Sequence, residues 1–514
     1  MPEYLSPGVY IEEFEIGAKP IEGVSTSTAA FLGETERGTT TPELVTSLTD
    51  YRRKFGGYFG ATKYLPHSVK AFFDNGGKRC FITRIVKQDA SSASKDLGNG
   101  LIVEAIGDGA WGNRIAVRIS DASIEGFKLS VHYWKAPAPT LFDPEDPNER
   151  LTEPQPSVSE IYDNLSVDDS LPDFFEKRVN SNSNLVEITI QPGTDPLTRP
   201  ANADIEFLAN GDDGTDPDNL ALIDYTRTDL TEPGTRRGLT ALNEYDVQII
   251  YAPISQQSVT GLNDAIISHC ELNKYRFAIL DSEFGASTVN DVNPRSNMPE
   301  GNRPTQYAAY YYPWVEIINP ATGLKKSVPP GGFAAGIYAR SDTERGVHKA
   351  PANEVVRGAV GIEFNITTGE QDLLNPRGVN VIRAFPGRGI RVWGARTLSS
   401  NSLWKYINVR RLFIFVEDSV FRGTQWVVFE PNNERLWARV RQTITQFLTT
   451  VWRTGALMGL TPEEAFFVKA DRTTMTQDDI DNGRLIVIVG LAPTKPAEFV
   501  IFRFTQFTAG AEAS

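Results

Sequence analysis

Hydrophobic and polar positions follow two rhythms along this chain, and the changes of rhythm mark out its parts. A period near 3.6 residues is clearest in "NNERLWARVRQTITQFLTTVWRTG", Asn432 to Gly455, where Leu436, Val440, Ile444, Phe447, Leu448 and Val451 share one face. Asn432 or Asn433 can cap this predicted helix and Gly455 can end it, while Arg435, Arg439 and Gln442 lie on a different face. Just before it, "LWKYINVRRLFIFVEDSVF" predicts a second helix, apolar around so much of its circumference that it should be well buried. Shorter helices are expected in "SLTDYRRKFGG", capped by Ser47 or Thr49 and stopped at Gly56-Gly57, and in "PHSVKAFFDNGG" and "VTGLNDAIISHCEL". Another should start after the Pro-Pro turn of "PPGGFAAGIYARSDTERG".

Strand-like runs alternate with these helices: "TAAFLGET", "RCFITRIV", "YDVQIIYAPI", "YRFAILDS" and "QYAAYYYPWVEI". The order strand, helix, strand over 245–282 predicts a βαβ unit. From about Asp89 to Asp216 the texture is different. Short runs ("LIVEAI", "NRIAVRI", "KLSVHYW", "LVEITI") are separated by Pro- and Asp-rich loops, which predicts a β-rich insertion. At the N-terminus, "SPGVYIEEF" predicts a short extended arm, followed by a flexible linker over Glu15 to Gly23. After the long helix come the strands "AFFVKAD" and "RLIVIVGLA", and then "PAEFVIFRFTQF", Pro496 to Phe507.

That last segment carries Phe499, Val500, Ile501, Phe502, Phe504 and Phe507, with Arg503 its only charge after Glu498. Burying its apolar side chains would gain on the order of 10 kcal/mol at ~1.5–3 each. Fixing its backbone costs a similar amount at ~1–2 kcal/mol per residue, so the strand needs a ready-made sheet edge. Two edges suit it. One is "RLIVIVGLA" in the same chain, across the "PTKP" turn; the other belongs to a neighbouring subunit.

The length, 514 residues, suggests about three domains at roughly 150 residues each. With 40% hydrophobic and 23% charged residues the composition is globular, and no apolar run approaches the ~20 residues that cross a bilayer. The N-terminus lacks a secretory signal, so synthesis and residence in the cytoplasm are expected unless something carries the protein out. Cys80 and Cys270 sit in apolar contexts and read as buried thiols; the four histidines are scattered, so no metal is expected. Charge is uneven. Asn375 to Arg453 holds thirteen Lys and Arg against four acids, a net +9 in a chain whose total is -14. Such a block suits an acidic partner as well as it suits an ordinary solvated face.

The one pattern with a catalytic look is "GDGAWG", where Gly107, Gly109 and Gly112 spell G-x-G-x-x-G after a strand. Dinucleotide binding needs a helix to follow, with its N-terminal amides on the pyrophosphate. Here the chain runs on into "NRIAVRIS", a strand period, and bulky Trp111 sits inside the loop, so a Gly-rich β-turn is expected. "NGGKR" lacks the first glycine and the Ser or Thr of a phosphate loop. The acidic "NGDDGTDPDN" lacks the ligand order of an EF-hand and reads as an exposed turn. Enzyme chemistry is unsupported, and no cofactor is expected.

Several ordered blocks carry a resemblance: "SPGVYIEE", "FFDNGGKRCFITRI", "YYYPWVEI", "VPPGGFAAGIYARSDTERGVHKAPAN", "LNPRGVNVIRAFPGRGIRVWGARTLS", "YINVRRLFIFVEDSV" and "IVIVGLAPTKPAEFVIFRFTQ". Through them the chain resembles the contractile tail sheath proteins of myovirus-type phages and phage-tail-like injection particles. The resemblance implies an α/β (α+β), multi-domain subunit of stacked hexameric rings around an inner tube, which contracts to drive the tube through a target membrane. It implies a linking arm at 1–23, an α/β sheath domain at 24–88 and 216–345, an inserted β-rich outer domain at 89–215, and a C-terminal sheath domain at 346–514 ending in a linking strand. The linking strands carried over are Val9, Tyr10, Ile11 and Phe14, and Phe499, Val500, Ile501, Phe502, Arg503 and Phe504. Charge alone nominates Arg410, Arg411, Arg435 and Arg439 to face an acidic tube. Expected partners are further copies of the chain, the tube, and baseplate and tail-terminator or cap proteins, with neither nucleic acid nor membrane insertion. The alternatives are an α/β enzyme holding a nucleotide at Gly107–Gly112 and, less well supported, a nucleic-acid binder using the Arg-rich stretch.

Overall fold

A computed structural model describes residues 20–136, 141–180, 182–194, 198–232, 234–253, 259–287, 289–290, 292–295 and 304–504. The N-terminal strand residues Val9, Tyr10, Ile11 and Phe14 lie outside these. Ser25–Arg411 forms one compact unit, and among the described residues 20–24 group with 412–504 in a second.

In chain order the first unit lays down β1 (Ala29–Gly33), β2 (Glu43–Val45), α1 (Leu48–Phe55), α2 (Leu65–Asp74) and β3 (Cys80–Arg84). Seven strands follow: β4 (Ser94–Gly98), β5 (Leu101–Ala105), β6 (Ile115–Asp121), β7 (Phe127–Tyr133), β8 (Val158–Leu165), β9 (Val186–Ile190) and β10 (Ala203–Phe207). The α/β texture then resumes with β11 (Ile249–Tyr251), α3 (Leu262–Asn273), β12 (Phe277–Asp281) and β13 (Ala308–Tyr312). Next come β14 (Val315–Ile318), β15 (Lys325–Val328), α4 (Gly331–Arg345), β16 (Glu354–Val355), β17 (Gly361–Ile362), β18 (Val379–Phe385) and β19 (Gly389–Val392). Helix α5 (Ile407–Gly423) continues through the division between the units.

Nine of these strands form one sheet, in the order β16-β19-β18-β13-β12-β11-β1-β3-β2. The six from β18 to β3 are parallel, and β2, β19 and β16 close the two edges antiparallel. The cause is visible in the sequence. β1 and β11 are apolar on both faces, as strands covered on both sides must be. Phe31 turns to α2, meeting Phe72 at 5.3 Å, while Ala30, Leu32 and Ile250 join Ile266, Ile267 and Cys270 of α3 in a separate core. Cys80 and Cys270 are buried, and burial pushes both thiols up.

Between β3 and β11 lie two smaller sheets, β4-β5-β9 and β10-β6-β7-β8. They share a core that includes Leu101, Val103, Trp111, Ile115, Leu129, Phe175 and Ile188. This β-rich stretch is tied to the loop after β1 through Glu36, which accepts from Tyr133 Oη at 3.1 Å, Lys135 Nζ at 3.0 Å and the Gly57 amide at 2.7 Å.

Two expectations are corrected. "QYAAYYYPWVEI" makes two strands rather than one: Pro313 has no amide to donate, and β14 beyond it joins β15 and β17 in a separate sheet. The boundary expected after residue 345 cuts through the large sheet, because β16, β18 and β19 complete it. The compact units divide inside α5 instead.

The second unit is built on α6 (Glu434–Arg453), whose Asn433 side chain accepts from the amides of Arg435 and Leu436. Leu436, Trp437, Val440, Ile444, Phe447, Leu448 and Val451 are buried, and Phe447 meets Phe415 of α5 at 6.0 Å. Beside α6 lie β20 (Phe466–Lys469) and β21 (Ile488–Leu491), an antiparallel pair running from Phe466↔Leu491 to Lys469↔Ile488.

One buried carboxyl in the large sheet yields a pH prediction. Asp281, ending β12, accepts from Tyr251 Oη at 2.6 Å and from the Gly331 amide at 2.7 Å. Burial pushes its carboxyl up to about 7 against the pull of those two donors. An unfolded Asp titrates near ~3.9, so the fold holds an extra proton between these values. The stability contributed here is complete below the unfolded value and is lost as pH rises through about 7. Asp281→Asn copies the protonated acid, so thermal denaturation should show a flatter stability profile between pH 4 and 7 than the wild type shows.

Candidate assembly surfaces

The backbone after β21 stays tied to its unit as far as Thr494. The Ala492 amide donates to Ala465 O at 2.9 Å, and the Thr494 amide donates to Ala456 O at 3.0 Å. Beyond Pro496 no strand forms among the described residues, and Phe499, Val500, Ile501, Phe502 and Phe504 stand between 67% and 94% exposed. The same-chain pairing with "RLIVIVGLA" is therefore absent over 496–504, and Ile488–Leu491 pairs with Phe466–Lys469 alone among the described residues.

The β20–β21 sheet has two outer edges, and neither carries a third strand among the described residues. Phe467, Ile488, Met458 and Leu460 are exposed around it. An uncovered edge beside exposed apolar side chains is the standing template for adding a strand.

The four nominated arginines separate into two kinds. Arg435 and Arg439 lie on the exposed face of α6, Arg439 with its guanidinium 4.6 Å from the Trp426 ring centroid. Arg410 and Arg411 are only 3% and 4% exposed, so they do not present charge to a partner in this chain. The guanidinium of Arg410 lies 4.8 Å from Tyr307 and 4.9 Å from Trp404. Arg411 donates to both carboxylate oxygens of Asp342, at 2.8 and 2.5 Å, and to Thr26 O at 2.8 Å. Burial works against the Arg411 charge, but the adjacent Asp342 carboxylate more than offsets it and holds the group above its ordinary value. The physical reason lies in α5 itself: a helix apolar around its circumference carries its cations inward, where each needs an anion or a ring. Sequence reasoning counted those charges without asking which face was free. It also missed the β18–β19 hairpin, where Arg383 and Arg388 lie over Phe385 at 5.2 and 5.4 Å.

The Gly107–Gly112 loop has a packing explanation. A Cβ at Gly107 would come 2.3 Å from Gly38 O, so the glycine admits close approach between the β-rich stretch and the loop after β1. Gly109 holds φ +118, a conformation for which glycine is suited. The turn after it is a short 3-10 helix over Ala110–Arg114, not the plain β-turn expected, and β6 follows directly. The Ala110 amide donates to Asp213 Oδ1 at 2.8 Å and Trp111 is buried in the neighbouring core, so this loop does not present a phosphate cradle. Among the described residues no group of His, Cys, Asp and Glu is arranged to hold a metal ion, and no helix is long and apolar enough to cross a membrane.

The described residues thus hold an exposed apolar segment and a sheet with two uncovered edges, and comparison with known proteins places the chain in a family. Residues 224–398 match the phage tail sheath protein central domain and residues 399–507 the phage tail sheath C-terminal domain, together more than half of the chain. The tail sheath protein of Burkholderia phage BcepMu is 23% identical over 317 residues, covering 58% of this chain and 64% of that protein. A prophage protein of Pseudomonas aeruginosa named for a major tail sheath role is 27% identical over 197 residues, 37% of this chain and 49% of its own. The matches thus span about half to two thirds of these relatives. The contracted PVC sheath complex of an extracellular contractile injection system has a TM-score of 0.59 at 25% identity, covering 98% of this chain and 99% of that one. A chain of the anti-feeding prophage baseplate gives 0.57 at 24%, covering 98% and 100%. The chain belongs to the contractile tail sheath family.

Proposed function

We propose that this protein is the structural subunit of a contractile tail sheath. It polymerises as stacked hexameric rings around an inner tube and contracts to drive that tube through a target membrane. The observation that carries the reading is the exposed apolar segment Phe499–Phe504, together with the uncovered edges of β20 and β21. Main-chain hydrogen bonds in an augmented sheet link subunits while tolerating changes of side chain. In this reading the segment, and the arm with Val9, Tyr10, Ile11 and Phe14, pair with strands in neighbouring subunits. The relatives are sheath proteins and a sheath complex, which favours a structural role over the nucleotide-binding enzyme. Baseplate and terminator proteins are the further partners of such a subunit, and assembly takes place in the bacterial cytoplasm.

Electron microscopy of the purified protein tests the proposal. Hollow tubes of sheath diameter support it, and a persistent monodisperse monomer overturns it. The tube-facing charge is now restricted to Arg435 and Arg439. Exposed ion pairs contribute only ~0–1 kcal/mol each, so many can form and release during firing. Replacing both with Glu should weaken co-assembly with the tube protein, most clearly at low salt, where exposed charges are least screened. Sedimentation of mixed assemblies measures this, and unchanged co-assembly would remove the charge argument.

A further inference from the structure

Two covalent links join the compact units, one at Val24–Ser25 and one at Arg411–Leu412. Within Ser25–Arg411 the roots of both meet on a single side chain of α4. Asp342 accepts from Thr26 Oγ1 at 2.6 Å and from Arg411 Nη1 and Nη2 at 2.8 and 2.5 Å. Arg411 Nη2 closes the triangle by donating to Thr26 O at 2.8 Å. Both members of the ion pair are about 5% exposed or less, and the Arg411 guanidinium lies 4.7 Å from the Tyr338 ring on the same helix as Asp342. Tyr338 in turn shares a 2.8 Å hydrogen bond with Tyr311 of β13, inside the large sheet.

On the other side of the division, residues 21–24 lie along α5. The Val24 amide donates to Ser419 Oγ at 3.2 Å. A Cβ on Gly23 would meet the Phe415 ring at 2.9 Å, and one on Gly423 would meet Ile21 at 2.6 Å. The segment therefore runs antiparallel to α5 as a strap, with Ile21 seated against Gly423 and Gly23 against Phe415.

We propose that Asp342 is a fastening pin. It holds both covalent links to the core sheet, so that load arriving through the N-terminal arm is delivered to α4 and β13 rather than peeling the strap from α5. The loading rests on the sheath reading; the pin itself is a property of the single chain. Without it, both links would loosen together, because one carboxylate serves both. With it, damage to the strap would stop at Thr26.

Hydrogen-exchange mass spectrometry on the full-length, unassembled protein separates these outcomes. Asp342→Asn should raise exchange at least tenfold over both 25–28 and 407–411 while β12 and β13 stay protected. Thr26→Val, which keeps the side chain's shape and leaves the ion pair in place, should raise exchange over 25–28 and guards against misfolding of the first variant. Gly423→Ala favours the helix yet crowds Ile21, so exchange should rise over 21–24 and stop before Thr26. Loosening of only one link in Asp342→Asn would overturn the pin. So would fraying in Gly423→Ala that passes through Thr26 to residue 28. Failure of the wild type to form tubes would instead strike the proposed function and leave these readouts intact.

Discussion

Deleting Ala497–Ser514 should abolish polymerisation while leaving the circular dichroism of the chain nearly unchanged. Over its described part the deleted segment forms no strand and exposes Phe499, Val500, Ile501, Phe502 and Phe504, so its removal takes little from the single-chain fold. In an assembly the same side chains would each contribute ~1.5–3 kcal/mol on burial, before the cost of ordering the backbone. In the proposed polymer, where every subunit would donate one such strand, that difference would decide between tubes and soluble protein. Electron microscopy and sedimentation read the outcome. Tubes formed by the truncated chain would rule out strand donation from this segment. A milder variant separates bulk from length: Phe502→Ser with Phe504→Ser keeps the backbone donors and should shift the critical concentration upward rather than abolish assembly.

The second large effect is expected at the buried pair. Asp342→Ala leaves the Arg411 guanidinium buried with no carboxylate, and breaking a buried pair in this way costs about 3–5 kcal/mol. The cost should appear as a lower urea midpoint for the unit Ser25–Arg411. Asp342→Leu combined with Arg411→Met should recover most of it, since removing both charges removes the desolvation penalty along with the attraction. A double variant as unstable as Asp342→Ala would mean that Arg411 contributes through Tyr338 and the Thr26 carbonyl, not through the ion pair.

Periodicity alone determined much of this molecule. The buried stripe of α6 and the apolar strands β1, β3, β11 and β12 follow from local pattern, because a helix or strand must turn one repeating set of positions away from water, whereas the choice of Asn433 over Asn432 and of Ser47 over Thr49 as caps came with the structure. The family was legible too, in ordered blocks that span the α/β portion. Tertiary structure decided matters that depend on what lies opposite a residue. Arg410 and Arg411 read as free charge until their rings and carboxylate were in view, since a residue count carries no sidedness. Gly107 read only as part of a Gly-rich turn; the close approach it admits, with the Gly38 carbonyl 2.3 Å from where its Cβ would stand, belongs to the tertiary packing. The segment from Pro496 offered two sheet edges with nothing local to choose between them. The fold forms no strand over 496–504, so the edge inside its own chain is not the one used there. Strand pairing joins residues far apart in sequence, and its outcome is set by which edges the rest of the fold leaves uncovered.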